Sequence, residues 1–310
     1  MSATTGIEWT DRTWNPVTGC TKVSPGCDHC YAETIAERFR GGPAFPNGFD
    51  VQLRGHKLTE PLRWRKPSKV FVNSMSDLFH DSVPDEYIAK VFAVMASAPR
   101  HTFQILTKRH GRMRSLVSSD AFRQSVQRRI PHAGADSYVG KHYSTWPLPN
   151  VWLGVSTENQ QWADIRIPAL LGTPAAVRFI SAEPLLGPVD LIQSLGIHDV
   201  PPRTGLVRPQ LDWVIVGGES GPKARPMHPD WARSLRDQCV DAGMPFHFKQ
   251  WGEYMVNGYY SPETGIPPSP EIAMEPANSN FGPLMLRVGK KRAGRVLDGR
   301  TWDEFPEDAS

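Results

Sequence analysis

The stretch Val151-Trp152-Leu153-Gly154-Val155, followed by Ser156-Thr157-Glu158-Asn159, carries the pattern that decides the fold. A short run of β-branched and aromatic residues is typical of a strand buried on both faces of a parallel sheet. The polar residues mark the point where that strand ends. The same order of apolar run and polar end recurs along the chain, at 70–77, 103–109, 177–184, 213–221 and 246–251.

Helical patterns lie between several of these runs. Residues 84–98 begin with Pro84, Asp85 and Glu86, which suit the first turn of a helix. Residues 229–243 also begin with proline and end at a glycine. Alternating strands and helices predict an α/β protein with a parallel sheet, either open or closed. We therefore predict a partial TIM-like β/α barrel of six to eight parallel strands.

Composition along the chain suggests two parts. Residues 1–250 are predicted to form the β/α barrel, with a basic insertion at about 108–149. Residues 251–310 lose the strand pattern and become rich in glycine, proline and asparagine. We interpret them as an irregular C-terminal covering segment that packs its aromatic residues on the barrel.

Candidate site residues follow the strands. In parallel β/α proteins, binding and catalytic groups collect beyond the carboxyl ends of the strands. Strands that merely stop at polar loops would look similar, but carboxylates after three successive strands favour a binding site. The candidates at these ends are Ser74, Asp77, Lys108, Ser156, Glu158, Glu183, Glu219 and Lys249.

The bulk composition fits a globular chain that can bury a core. It has 310 residues, of which 39% are hydrophobic and 22% charged, and its net charge of +3 points to no particular partner. We find neither a basic start followed by an apolar run nor a stretch of about 20 apolar residues. We therefore expect a cytoplasmic protein with no membrane segment.

Two stretches are locally basic. Eight Lys or Arg residues lie between Thr107 and Tyr143, and Arg63-Trp64-Arg65-Lys66 interleaves an aromatic residue with three cations. Such stretches can follow a phosphate backbone and stack a base. Solvated helix faces have the same composition, so nucleic acid is a candidate partner only.

Three of the four cysteines, Cys20, Cys27 and Cys30, lie within eleven residues, which predicts a metal site and not a disulfide framework. The fourth, Cys239, falls on the apolar face of a predicted helix, so we expect it in the core. Zinc would need a fourth ligand, such as His29 or a more distant histidine. A [4Fe–4S] cluster on three cysteines leaves one iron open for a ligand. We favour iron–sulfur and keep zinc as the alternative metal.

The pattern Cys20…Cys27-Asp28-His29-Cys30-Tyr31 at the start of a β/α chain resembles radical S-adenosylmethionine (radical SAM) enzymes. The gap of six residues after Cys20 and the histidine before Cys30 are similar to a narrower phage and bacterial three-Cys-motif family of unassigned function. The other motifs that carry this resemblance are Trp14-Asn15-Pro16-Val17-Thr18-Gly19-Cys20, Cys30-Tyr31-Ala32-Glu33, Gly217-Gly218-Glu219-Ser220-Gly221 and Asp298-Gly299-Arg300-Thr301-Trp302.

This resemblance implies a radical-SAM-like barrel whose three cysteines hold the cluster. The open iron would bind the amino and carboxylate groups of S-adenosylmethionine. An electron donor would then drive cleavage to a 5′-deoxyadenosyl radical, for nucleic acid base modification or repair or for another, unknown substrate. A separately encoded protein partner is also implied. The residues assigned to S-adenosylmethionine or substrate are Ser74, Asp77, Ser156, Glu158, Gly217, Gly218 and Glu219.

Other interpretations remain open from the residues alone. Glu183 and Lys249 are candidate catalytic residues for substrate or proton handling, and they could equally form an ion pair at the barrel mouth. The alternative to an enzyme is a non-catalytic nucleic-acid-binding protein stapled by zinc or an iron–sulfur cluster. A third hypothesis is a metal-dependent hydrolase that uses the carboxylates of Asp77, Glu158, Glu183 and Glu219.

Overall fold

The structure is a computed structural model that describes residues 5–130, 145–195, 211–259 and 283–306. The strands are β1 (Arg12–Trp14), β2 (Val17–Thr18), β3 (Gln52–Leu53), β4 (Lys69–Val72), β5 (Thr102–Thr107), β6 (Val151–Ser156), β7 (Val177–Ala182), β8 (Trp213–Gly217), β9 (Phe246–Gln250), β10 (Tyr254–Tyr259) and β11 (Pro283–Arg287). The α-helices are α1 (Tyr31–Arg38), α2 (Asp85–Ala96), α3 (His110–Val117), α4 (Asp120–Arg129), α5 (Gln160–Leu171), α6 (Leu191–Leu195), α7 (Pro229–Asp241) and α8 (Lys290–Ala293).

Seven strands form one parallel sheet in the order β1-β4-β5-β6-β7-β8-β9. The strands of this sheet are ordered as they are along the chain. Each new strand is therefore added at the same edge of the sheet and pairs with the strand of the sheet that precedes it in sequence. The sheet curls into a half-barrel, with β1 and β9 at its edges. The prediction of six to eight parallel strands in an α/β fold is confirmed at this level.

The outer face of the sheet packs against the helices. Strand residues that point outward, such as Val72, Ile105 and Val214, join the apolar residues of the helices in the main core. Helix α2 contributes most of its length to this core because nine of its twelve residues are buried. The buried Cys239 of α7 belongs to the same core, which agrees with the helical pattern in its sequence.

The inner face carries a second, largely aromatic cluster. Trp9 reaches the centre of the half-barrel, where its ring lies 4.6 Å from Phe71 and 6.2 Å from Trp213, measured between centroids. Gly154 of β6 leaves room for Phe179, whose ring carbons would lie 2.5 Å from a Cβ at that position. Large aromatic rings therefore fill the inside of the half-barrel below its open carboxyl end.

The closing residues of the chain cover the amino end of the half-barrel. The indole N–H of Trp213 donates to the Glu304 carbonyl at 2.8 Å, and the Phe305 ring lies 4.9 Å from Trp213 between centroids. On the other side of the opening, the Lys69 ammonium lies 4.4 Å from the Phe305 ring centre. This segment thus bridges the curled sheet from β8 to β4.

Smaller elements complete the described structure. Strands β10 and β11 form an antiparallel pair, and so do β2 and β3. Much of the predicted basic insertion forms α3 and α4, while residues 131–144, including Lys141, lie outside the described residues. None of the described helices has the length and apolar character needed to cross a membrane. The proposed boundary at residue 250 stays a prediction.

Candidate functional site

A cavity of about 450 Å³ opens at the carboxyl end of the half-barrel. Its floor is apolar and includes Trp9, Phe71 and Leu106, and its polar rim holds the three clustered cysteines. Two predicted site residues, Glu158 and Gly217, lie outside this lining. The predicted site residues that line the cavity are Cys20, Cys27, Cys30, Ser74, Asp77, Lys108, Ser156, Glu183, Gly218, Glu219 and Lys249.

The backbone before Cys20 requires a glycine. Gly19 has a φ of +86°, in the left-handed region, and a Cβ there would lie 2.1 Å from the Asp50 carbonyl oxygen. Any larger residue would be strained and would push the two backbones apart. Beyond this turn, the Cys20 N–H donates to the Phe49 carbonyl at 3.1 Å. The close approach therefore fixes where the first cysteine meets the rim.

Cys27 and Cys30 occupy a tight turn that follows. A 3₁₀ helix spans Pro25–Cys27, and the Cys27 N–H donates to the Ser24 carbonyl at 2.8 Å. Cys30 is the N-cap of α1, so its side chain lies at the start of that helix. The three thiols form no disulfide.

The Cys20 thiol contacts a guanidinium. Arg109 Nη1 lies 3.4 Å from Cys20 Sγ and 3.5 Å from Asp77 Oδ2. Arg109 Nη2 donates to both the hydroxyl and the carbonyl of Thr21, at 2.7 and 3.2 Å. Burial, together with the nearby Asp77 carboxylate, raises the pKa of Cys20 to about 11, against the opposing effect of Arg109. The thiol therefore carries its proton at neutral pH.

Asp77 has its carboxylate engaged from several directions. It accepts hydrogen bonds from the Thr107 hydroxyl at 2.7 Å and from the backbone N–H groups of Phe79 and Lys108, both at 3.0 Å. These bonds join the end of β4 to the end of β5. Asp77 therefore orients Arg109, a residue that the sequence indicated only as part of a basic stretch.

Glu158 lies beneath the cysteine turn and is fully buried. Its carboxylate accepts from the Ser24 hydroxyl at 2.5 Å and pairs with Lys108 at 3.0 Å and with the buried Arg166 at 2.7 Å. Gly26 packs directly on it, since a Cβ there would lie 2.4 Å from Oε1. Burial alone would raise the pKa of Glu158, but Lys108 and Arg166 hold it below its ordinary value.

Glu219 holds the same turn from the other side. Its carboxylate accepts from Arg225 Nε at 2.8 Å and Nη2 at 2.7 Å and lies 3.2 Å from His29 Nδ1. Arg225 also bonds to Asp28 Oδ2 and to the Pro25 carbonyl, at 3.2 and 2.8 Å. Burial would raise the pKa of Glu219, and the donors from Arg225 and His29 lower it below its ordinary value.

Glu183 and Lys249 form an ion pair across the cavity wall. Lys249 Nζ lies 2.7 Å from Glu183 Oε1, and Gln250 Nε2 lies 3.4 Å from the same oxygen. Their side chains keep 20% and 13% of their surface exposed. The ion pair, one of the two interpretations of these residues, is therefore formed while both still face the cavity.

The remaining predicted site residues in the lining, Ser74, Ser156 and Gly218, are positioned by contacts of their backbone with neighbouring segments. Ser156 of β6 is paired with Ser181 of β7, so both reach the rim together. The Ser74 carbonyl accepts from the Tyr31 hydroxyl, which links β4 to α1. A Cβ at Gly218 would lie 2.0 Å from the Trp251 carbonyl oxygen. That glycine is required by the close approach of two loops.

The donor set allows a test of the metal hypotheses. The sulfur ligands of a single tetrahedral zinc ion lie about 4 Å apart, since each Zn–S bond is about 2.3 Å. Within the described residues, no group of three or more His, Cys, Asp or Glu side chains is arranged to hold a metal ion. A four-iron cube spaces its sulfur ligands more widely because each binds a different iron. The iron–sulfur and the zinc interpretations of the three cysteines both stay predictions.

The two basic stretches differ in how far their side chains are engaged within the chain. Arg12 stacks on Trp64, with its guanidinium carbon 5.1 Å from the ring centre. Arg112 bonds to the carbonyls of His80 and Val83 and to Asp85. Arg112 of the longer stretch is therefore engaged within the fold, whereas Arg63, Arg65 and Lys66 are exposed to solvent.

The chain matches a known protein family along nearly its whole length. A family model described as "Protein of unknown function (DUF5131)" matches residues 4–306. Comparison with curated proteins and with solved structures finds no match.

Proposed function

The chain belongs to the DUF5131 family, and we propose that it is a radical-SAM-like enzyme in which Cys20, Cys27 and Cys30 hold a [4Fe–4S] cluster. One observation carries the proposal. Three free thiols from a single short loop meet the rim of one cavity, at the carboxyl end of a parallel half-barrel. That end is where β/α proteins bind ligands.

The chain's own residues would prepare this site before any cofactor arrives. Asp77 and Arg109 fix the position of Cys20, while Glu158 and Glu219 hold the turn that carries Cys27 and Cys30. The apolar floor would keep water away from reactive species. When bound, a reduced cluster supplies the electron that cleaves S-adenosylmethionine.

The assignments of S-adenosylmethionine contacts differ in how well the geometry supports them. Ser74, Ser156 and Gly218 line the cavity. Glu158 has its carboxylate engaged by Ser24, Lys108 and Arg166, so we propose that it supports the cysteine turn instead of touching a cofactor. Glu183 and Lys249 face the cavity as a pair, and we keep them as candidates for substrate or proton handling.

The metal-dependent hydrolase receives less support from the geometry, because such an enzyme needs carboxylates that are free to bind a divalent ion. Each of its four candidate carboxylates is paired with a cation of the chain. These pairs are Asp77–Arg109, Glu158–Arg166, Glu183–Lys249 and Glu219–Arg225. The stapled nucleic-acid-binding protein would need exposed basic side chains; Arg112 is engaged within the fold, while Arg63, Arg65 and Lys66 are exposed.

The proposal is tested by anaerobic reconstitution of the full chain with iron and sulfide. We expect the visible absorption of an iron–sulfur cluster and, after addition of dithionite, cleavage of S-adenosylmethionine to 5′-deoxyadenosine. Replacing Cys20, Cys27 or Cys30 by alanine should abolish the cleavage. The matched control is Cys239→Ala, which removes a core thiol far from the cavity and should keep it. Equal activity in all four variants, or a wild type that takes up only zinc, would contradict the proposal.

A further inference from the structure

The three cysteines differ in what contacts their sulfur atoms. Among the described residues, Cys20 is the one whose sulfur receives a guanidinium donor, from Arg109 Nη1 at 3.4 Å. The Cys30 thiol instead faces the backbone N–H groups of Ala32 and Glu33 at the start of α1. Of the three cysteines, Cys20 therefore has the direct guanidinium contact, while Lys108 acts on Cys30 through its charge.

Arg109 cannot easily turn away from the sulfur. Its side chain is 9% exposed. Its second terminal nitrogen is held by the hydroxyl and carbonyl of Thr21, and the first is shared between Cys20 Sγ and Asp77 Oδ2. Asp77 is in turn fixed by Thr107 and by two backbone N–H groups. The donor is preorganised, at low solvent exposure, where charges are only weakly screened.

We propose that Arg109 is a positioning residue that orients the Cys20 ligand and raises the reduction potential of the bound cluster. This inference rests on the proposed function. Hydrogen bonds and positive charge at a ligand sulfur stabilise the reduced cluster, which carries one more negative charge. The neighbouring Asp77 carboxylate acts in the opposite direction and limits the increase.

The two neighbours of Cys20 therefore give a test with opposite signs. In Arg109→Gln the charge and most of the donor strength are lost, so the midpoint potential should shift to a lower value. In Asp77→Asn an amide of the same shape replaces the carboxylate, so the potential should shift to a higher value. If Arg109 and Asp77 only packed around Cys20, the midpoint potential would not shift in opposite directions in these two variants.

The experiment is a redox titration of the anaerobically reconstituted full chain, followed by electron paramagnetic resonance of the reduced cluster. Arg112→Gln is the matched control, because Arg112 lies on α3 and bonds to carbonyls and Asp85 without touching a cysteine. Its potential should equal that of the wild type. Cluster content is measured on the same samples.

The outcomes separate the inference from the function on which it rests. A wild type that binds no cluster contradicts the proposed function itself. A wild type with a cluster and an unchanged potential in Arg109→Gln overturns the inference alone. If Arg109→Gln takes up no cluster, Asp77→Asn decides: a higher potential supports the inference, and an unchanged or lower one overturns it.

Discussion

The two ends of the half-barrel are built from the same seven strands and differ in chemistry. At the amino end, Trp213, Phe305 and His247 pack ring against ring and close the sheet. At the carboxyl end, paired charges and three free thiols surround an open cavity. Buried rings mainly stabilise a fold, whereas charges held at an open cavity are costly to bury and are typical of sites.

The difference indicates that the amino end mainly stabilises the fold, while the carboxyl end carries the candidate site. The carboxyl end does not leave its charges unpaired: Glu158 and Glu219 each bind a cation and also hold the cysteine turn. The ion pairs there therefore link the stability of the fold to the position of the thiols. None of the three clustered cysteines lies at the amino end, so changes there should affect stability without affecting the site.

The largest expected effect is at the amino end. Trp213 is completely buried, and its indole N–H bonds to Glu304. Replacing it by alanine should lower the free energy of unfolding by about 3–5 kcal/mol, because the change opens a cavity in the inner cluster. The measurement is chemical denaturation of the metal-free protein.

The control for Trp213→Ala is Val240→Ala, which shortens an exposed side chain on α7 and should change stability by about 0.5 kcal/mol or less. The iron content per folded chain should stay at the wild-type value in both variants. A Trp213→Ala protein that folds but no longer binds iron would contradict the claim that changes at the amino end leave the cysteine site unaffected.

The next effect is at the carboxyl end. Glu158→Gln leaves Arg166 buried without its charge partner, which should cost about 3 kcal/mol in the free energy of unfolding. This lies at the low end for a broken buried pair because the amide still accepts from Ser24. In contrast to Trp213→Ala, this variant should also bind less iron per folded chain, since the cysteine turn loses its support. Denaturation and iron analysis measure the two effects.

The matched variant Glu86→Gln removes an exposed carboxylate that pairs with Arg129. Exposed pairs contribute little, so neither stability nor iron content should change. If Glu158→Gln behaved like Glu86→Gln, the ion pairs at the carboxyl end would have no part in holding the turn.

A pH effect at the amino end should be smaller. Burial, with a contribution from nearby Arg295, lowers the pKa of His247 from 6.5 to about 4. The unfolded chain therefore takes up a proton near pH 6.5 that the folded chain takes up only near pH 4. Stability is complete above pH 6.5 and falls as the pH drops through this window, by about 2 kcal/mol at pH 5.

The test compares the wild type with His247→Gln by denaturation at pH 8 and pH 5. The variant should lose about 2 kcal/mol less than the wild type over this range. Other histidines with lowered pKa values, such as His101 and His228, are present in both proteins and cancel in the difference. If the free energy of unfolding fell equally in both proteins between pH 8 and pH 5, His247 would not be buried as described.

The sheet could be predicted from the sequence because its strands are buried on both faces. The uninterrupted run Trp213–Gly217 is such a strand, and the polar residues beyond it mark the end where the cavity lies. Cysteine spacing also identified the loop that reaches this rim. Local patterns of this kind leave a direct trace in the sequence.

The contacts that hold the loop could not be predicted in the same way. Arg109 meets Cys20 across 89 positions of the chain, and Arg225 meets Pro25 across 200. Pairings of this kind depend on how the loops fold back over the sheet, and no periodicity records them. The one local signal was that Arg109 lies two residues beyond the end of β5, where functional residues collect.

The central claim is that the three thiols hold an iron–sulfur cluster at the carboxyl end. The most direct measurement is the iron, acid-labile sulfide and zinc content of the full chain purified without oxygen. We expect about four iron and four sulfide ions per chain, retained in Cys239→Ala and lost in Cys27→Ala. One zinc ion per chain without sulfide, or equal metal content in both variants, would contradict it.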